Sequence, residues 1–283
     1  MIDINALPLA KLKEQVDRHP YPLMFATISG AHLYGFPSPD SDFDLRGIHV
    51  LPLADVIGLN EPKSTVDKSS IEDGLEIDLV THDALKFCKL MLRKNGYVLE
   101  QIFSPLIVHA TPEFDELKSI AADCITRHHS YHYNGFARGQ WKLFRKADKP
   151  LIKPLLYTYR VLMTGINLMR TGKIEANLAT LNEDFQLPAI DDLVRLKMNG
   201  KEKEEVPAGN EDLHEKQIHD LLSLTGERVG KVAFTGSCKS QAGVTRFADS
   251  IADQPCYQRM SEGCRYGLSI KVNDRLLRYS KSL

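Results

Sequence analysis

A chain of 283 residues with 43% hydrophobic and 26% charged residues sits near the globular average, which excludes the disordered and fibrous classes. A formal net charge of -1 excludes any whole-chain attraction to nucleic acid or anionic lipid, so such binding must come from a local patch. No run of about 18 apolar residues occurs and the N-terminus turns charged early, so neither a membrane span nor a secretory leader is expected and a cytoplasmic location is the default.

Leu7, Leu9, Leu12 and Val16 share an amphipathic stripe that predicts a first helix ending near His19-Pro20. LMFATIS (23–29) reads as a short buried strand. DFDLRGIHV (42–50) reads as another, with Phe43 and Leu45 on one face and Asp42, Asp44 and Arg46 on the other. A turn-rich stretch follows, with Pro52, Gly58, Pro62 and DKSSIEDG taken as a loop. LEIDLVT (75–81) then alternates again, with Glu76 and Asp78 on its polar face. HDALKFCKLMLRKNG predicts a helix capped by Thr81 or Asp83 and stopped at Gly96. From about Thr111 the period becomes helical: EFDELKSIAADCITRHH, GQWKLFRKADK, and PLLYTYRVLMTGINLMRTG with a core stripe from Leu155 to Met169. Residues 198–216 are charged and broken by Pro207 and Gly209, which predicts an exposed loop flanked by helix. The expected architecture is α+β, an α/β-like N-terminal half followed by a mainly helical C-terminal region. The divisions are 1–110, 111–232, and a segment 233–283 without assignable periodicity. The five cysteines, Cys88, Cys124, Cys238, Cys256 and Cys264, are scattered without a Cys-x-x-Cys pair, so reduced structural thiols are expected rather than a zinc site.

Two carboxylates one residue apart on a strand raise one another's pKa and need a cation. Alternate strand side chains lie roughly 7 Å apart on one face, so Asp42 and Asp44 can converge on divalent ions, and Asp78 can complete the set if its strand pairs nearby. Magnesium suits this spacing, because it takes one or two carboxylates together with substrate phosphates; manganese is the alternative ion. The turn SGAHLYG supplies a complementary feature, since Gly30 and Gly35 let backbone N–H groups approach phosphate oxygens and Ser29 adds a hydroxyl.

The order Gly30, Ala31, then Asp42-Phe43-Asp44 resembles the nucleotidyltransferase signature of the DNA polymerase beta superfamily. GAHLYGFPSPDSDFDLRG, with NGYVLEQIFSP (95–105), HHSYHYNGFARGQ (128–140) and KPLLYTYRVLMTG (153–165), is similar to the predicted nucleotidyltransferases associated with bacterial RNA repair. The resemblance covers residues 20–170. It implies a polymerase-beta-type sheet with flanking helices in a catalytic domain, 1–110, followed by a helical domain. It implies metal binding and catalysis by Asp42, Asp44 and Asp78, with Asp78 orienting or deprotonating the acceptor, and nucleotide contacts at Ser29, Gly30, Ala31 and Gly35. The expected reaction moves a nucleoside monophosphate from an NTP, ATP first, to an acceptor hydroxyl such as an RNA end, with release of pyrophosphate. Ala31 departs from the family's serine and removes a hydroxyl from the phosphate turn.

Arg46 either touches substrate phosphate or balances the carboxylates. Arg138, Lys142, Arg145 and Lys149 recur at helical spacing with Trp141 and Phe144 interleaved, so Lys142, Lys146 and Lys153 are candidates for nucleotide or RNA contact against the simpler reading of a solvated face. His128 and His132 have the spacing of a metal pair, but no third ligand lies nearby in the sequence. Three rival functions stay open: a transferase modifying a protein or small molecule, a non-catalytic RNA-binding or toxin–antitoxin type partner with this fold, and, disfavoured by the glycine turn, a sugar-nucleotide glycosyltransferase. Oligomeric state is not encoded in any recognisable way.

Overall fold

The computed structural model describes residues 7–59, 62–228, 238 and 240–252. Helix α1 (Leu9–Asp17) leads into β1 (Leu23–Ile28), whose six residues are all buried. A short helix, α2 (Gly30–Tyr34), turns the chain into β2 (Phe43–His49). Beyond α3 (Leu53–Ile57) come β3 (Thr65–Glu72) and β4 (Leu75–Asp83), and later β5 (Ile107–Ala110). These form one five-stranded sheet of order β3-β4-β2-β1-β5, in which β2 and β4 run parallel and the other pairs antiparallel.

The DKSSIEDG stretch is strand rather than loop. It forms most of β3, joined to β4 through Asp73 and Gly74, whose φ values of +48° and +80° suit the two-residue turn of a hairpin. The strand escaped sequence reading because it lies at the sheet edge with much of its surface in solvent, so no apolar alternation marks it. Gly96 is likewise no helix stop. Helix α4 (Ala84–Leu92), capped by Asp83, ends before Lys94, and Asn95 then caps α5 (Gly96–Ile102) through a bond from the Tyr97 N–H to its side chain.

The rest of the chain is helical: α6 (Glu113–Asp123), α7 (His129–Lys146), α8 (Ile152–Thr171), α9 (Leu178–Phe185), α10 (Pro188–Asn199), α11 (Glu211–Arg228) and α12 (Gln241–Ala252). Helix α7 starts at His129 rather than Gly139, running through two glycines that face open space. Of the segment 233–283, α12 with Cys238 and Ser240 is described and the remainder lies outside the described residues. Together these elements make the expected α+β fold. Helix α8 is its spine, with Leu155, Leu156, Tyr159, Leu162, Met163 and Ile166 fully buried in a core continuous with that of the sheet. Cys124 and Cys238 form a disulfide with a Cα–Cα distance of 4.3 Å, against the expectation of reduced thiols; their spacing of 114 residues hides the pairing from sequence. Cys88 is free and buried, and Cys256 and Cys264 lie outside the described residues.

One buried ion pair ties the helices to the sheet. Arg160 of α8 donates to Glu100 of α5 at 2.7 Å, both side chains being at most 3% exposed, and its guanidinium lies 3.9 Å from the Tyr34 ring centroid in α2. Tyr133 fills the space beside them, and a Cβ on Gly165 would come within 2.8 Å of the Tyr133 Cβ. Gly165→Ala is expected to lower stability by about 1–3 kcal/mol through overpacking. Gly135→Ala, with open space around the new methyl, is expected to raise stability by about 0.5–1 kcal/mol. Urea denaturation of the two variants checks both signs.

Candidate active site

Asp44 and Asp78 are register partners on the parallel strands β2 and β4, so their side chains share one face of the sheet. The cation that such a pair requires is built into the chain. Arg46, two residues along β2, donates from Nη2 to a carboxylate oxygen of Asp44 in a close contact and to Oδ2 of Asp78 at 3.0 Å. Its other nitrogens are also used: Nη1 donates to the carbonyls of Leu45 at 2.9 Å and Asp78 at 2.6 Å, and Nε to the Tyr97 hydroxyl at 3.1 Å. Burial works against the guanidinium charge, but Tyr97, Asp44 and Asp78 outweigh it and hold its pKa above the ordinary value. The Asp44 carboxyl is pushed up by burial, opposed by Arg46, and pushed further by Asp42 and Asp78. Asp78 also accepts from the Ser69 hydroxyl of β3 at 3.0 Å.

The glycine turn sits directly against this pair. The Ser29 N–H donates to the Asp44 carbonyl at 2.7 Å, and Gly30 adopts φ +61°. A Cβ on Gly30 would lie 1.8 Å from Asp44 Oδ2, so backbone and carboxylate share space that only glycine leaves. The Ser29 hydroxyl is fully buried with no hydrogen-bond partner, and Ala31 is buried. Gly35 ends α2 at φ +86° and faces the side chain of Asn177, the residue that caps α9, rather than the carboxylates. Beside the turn, the His32 ring stacks on Phe43 at 4.1 Å, which orients it next to Asp42.

A third wall comes from α8, where Lys153, Tyr157 and Arg160 follow at i, i+4 and i+7. Lys153 and Tyr157 both lie within electrostatic reach of Asp44, and the Lys153 ammonium is 5.8 Å from the Tyr157 ring centroid. Lys153 pairs closely with Glu202, which also accepts from the fully buried Lys197 at 2.5 Å, from Ser38 at 3.2 Å and from Ser41 at 3.3 Å. The Glu202 N–H donates to Asp40 at 3.2 Å. The charged stretch after α10 therefore clamps the loop that precedes Asp42, where sequence alone suggested a simple exposed loop. Burial pushes the Glu202 carboxyl up, but hydrogen bonds from Lys153 and Lys197 leave it below its ordinary pKa.

Of the expected site residues, the structure brings Asp44, Asp78, Ser29, Gly30 and Lys153 together, with Asp42 immediately before β2 on the same side. Lys142 and Lys146 stand exposed on α7, and no contact among the described residues joins them to the carboxylates. No group of three His, Cys, Asp or Glu side chains among the described residues is arranged to hold a metal ion. The hard oxygen donors that fit magnesium or manganese are Asp42 and the Asp44 oxygen that Arg46 does not hold, while Asp78 accepts from both Arg46 and Ser69. The His128 and His132 rings pack on Tyr131 and Tyr133 instead of forming a metal pair. Tyr97, Tyr157, His32, Ser69 and Glu202 went unread as site residues. The one sequence signal for Tyr157 was the polar i, i+4, i+7 row within α8. Gly30→Ala is expected to cost about 1–3 kcal/mol of stability, because the new methyl must displace the Asp44 carboxylate; Gly74→Ala, equally left-handed but with open space around it, separates that clash from backbone strain in thermal melts.

Comparison with known proteins places the chain in a family. Residues 4–232 match the model of the RNA repair pathway DNA polymerase beta family. An uncharacterised protein of Methanocaldococcus jannaschii, MJ0002, is 29% identical over 189 residues, covering 64% of this chain and 75% of that protein. The uncharacterised YcgL of Bacillus subtilis is 25% identical over 154 residues, covering 54% and 58%. A crystal structure of a nucleotidyltransferase-like protein from Exiguobacterium sibiricum superposes with TM-score 0.33 and 10% identity over 96% of this chain and 86% of that one, a likeness too loose to bear on the chemistry. With the family model spanning most of its length and the carboxylate strands in register beneath the glycine turn, the chain belongs to the RNA repair pathway DNA polymerase beta family.

Proposed function

We propose that the protein is a divalent-metal-dependent nucleotidyltransferase that moves a nucleoside monophosphate from ATP to a hydroxyl at an RNA end. The observation that carries this reading is the registered Asp44–Asp78 pair lying against a turn where Gly30 leaves no room for a Cβ. Asp42 and Asp44 would hold magnesium, or manganese in its place, which when bound neutralises phosphate charge and acidifies the attacking hydroxyl. Asp78 orients that hydroxyl and accepts its proton. Arg46 fixes the Asp78 carboxylate for this role, and Tyr97 fixes Arg46. The acceptor oxygen forms a bond to the α-phosphorus, the bond from that phosphorus to its bridging oxygen breaks, and pyrophosphate leaves. Phosphate oxygens approach the backbone at Gly30, where the unpartnered Ser29 hydroxyl takes the place of the serine that Ala31 lacks. Lys153, beside Asp44, balances the triphosphate once Glu202 releases it. No helix among the described residues is long and apolar enough to cross a membrane, and ATP with RNA ends as substrates points to the cytoplasm.

Incubation with labelled ATP, magnesium and RNA tests the reading. Asp44→Asn is expected to reduce transfer by at least about 10²-fold while the variant melts as a folded protein. Removal of divalent ions by chelation should abolish transfer, and added magnesium should restore it. Lys153→Ala is expected to raise the KM for ATP about tenfold with a smaller change in kcat. Label appearing in protein or a small molecule would move the acceptor to those classes, and no label with any acceptor would leave a non-catalytic partner protein.

A further inference from the structure

Residues 127–149 concentrate positive charge in a chain that is nearly balanced as a whole: they contain Arg127, Arg138, Lys142, Arg145, Lys146 and Lys149 against one acid, Asp148. Helix α7 within this stretch has no acidic residue at all. Its inner face carries His129, Tyr133, Ala137 and Phe144 into the core. At about 100° per residue, Tyr131, Arg138, Lys142 and Lys146 fall within about 80° of one another on the opposite, exposed face. Arg145 and Lys149 are paired, with Glu215 at 2.8 Å and Glu205 at 3.2 Å. Arg138, Lys142 and Lys146 form no ion pair with the described residues. Tyr131 is 64% exposed, and its ring is held by stacking on His128 with centroids 5.8 Å apart and an interplanar angle of 18°.

The C-terminal end of the stripe lies level with the start of α8. The Tyr133–Gly165 contact sets the level of α7 against α8, and a five-residue turn, 147–151, reverses the chain between them. Counting an equal number of turns along both helices brings Lys146 level with the start of α8, where Lys153 lies within electrostatic reach of Asp44. From Tyr131 to Lys146 the face is about 22 Å long, the span of roughly six or seven stacked nucleotides of one strand.

We propose that the outer face of α7 is a docking track for single-stranded RNA, with Arg138, Lys142 and Lys146 on the phosphates and Tyr131 stacking an unpaired base, delivering an RNA end toward Lys153 and the carboxylates. This rests on the transferase reading with an RNA acceptor. Phosphates account for the unpaired cations, and an exposed, pre-oriented ring adds what an acidic peptide would not require.

The test is fluorescence anisotropy of a labelled 12-nucleotide single-stranded RNA with the full chain, in the absence of ATP and divalent ions. The triple variant R138Q/K142Q/K146Q is expected to bind at least tenfold more weakly, and its slope of log affinity against log salt should shrink by about two. Tyr131→Ala should weaken binding at least threefold for the single strand and leave a duplex of the same sequence unaffected, and RNAs shorter than about six nucleotides should bind progressively less well. The substituted side chains are exposed, and unchanged melting temperatures will show that the fold is kept. Triple-variant affinity within twofold of the unsubstituted protein, or no RNA binding by the unsubstituted protein, overturns the track. Poly-glutamate bound as tightly as RNA reassigns the face to an acidic protein partner and also overturns it. RNA binding without any nucleotidyl transfer refutes the transferase reading and leaves the track, whereas transfer with RNA binding blind to α7 refutes the track alone.

Discussion

Two carboxylates held in register on adjacent parallel strands repel each other, and the site exists because a third side chain of the same sheet face cancels that repulsion. Arg46 does so with every nitrogen engaged, to both carboxylates, to two main-chain carbonyls and to Tyr97. Such a guanidinium cannot drift without leaving buried polar groups unpaired, so it is a fixed element of the site rather than a mobile counter-ion. Its position decides what each acid can do. Asp78 is bound by Arg46 and Ser69, Asp44 is bound by Arg46, and Asp42 forms no ion pair with Arg46.

The helical half contributes geometry to this centre. Arg160 and Glu100 are buried as a pair, and the arginine's second contact, the face of Tyr34, lies in the short helix that carries Gly30. A buried pair of this kind is weak evidence of added stability, but it is intolerant of sliding, since moving either helix would strand a charge. The Glu202 cluster clamps the other flank, joining Lys197 and Lys153 to the loop before Asp42. Turn, carboxylate strands and α8 are thereby locked to one another from both sides.

Much of the sheet was legible in the sequence where burial imposes a period. The buried strand β1 and the alternations of β2 and β4 are visible because one or both faces must be apolar, and the α8 stripe is visible because a central helix presents apolar residues on nearly every side. Strand β3 was invisible because an edge strand needs no apolar face, and Gly96 misled because a glycine after a helix marks a stop or a new start equally well. The disulfide between Cys124 and Cys238 could not be read from spacing, since sequence separation carries no distance.

The sequence by itself determined that Asp44 lies on the polar face of a strand with Asp42 two residues before it, that a glycine turn precedes them, and that an acidic face recurs at Asp78, because side-chain period and glycine's missing Cβ are local properties of the chain. Only the tertiary structure decided that Asp78 stands opposite Asp44 rather than elsewhere on the sheet, that Arg46 fills the space between them, and that Lys153 joins the site while Lys142 and Lys146 face solvent. Strand partnering and helix register are set by the packing of residues far apart in the chain, and no local pattern records which neighbour that packing will supply.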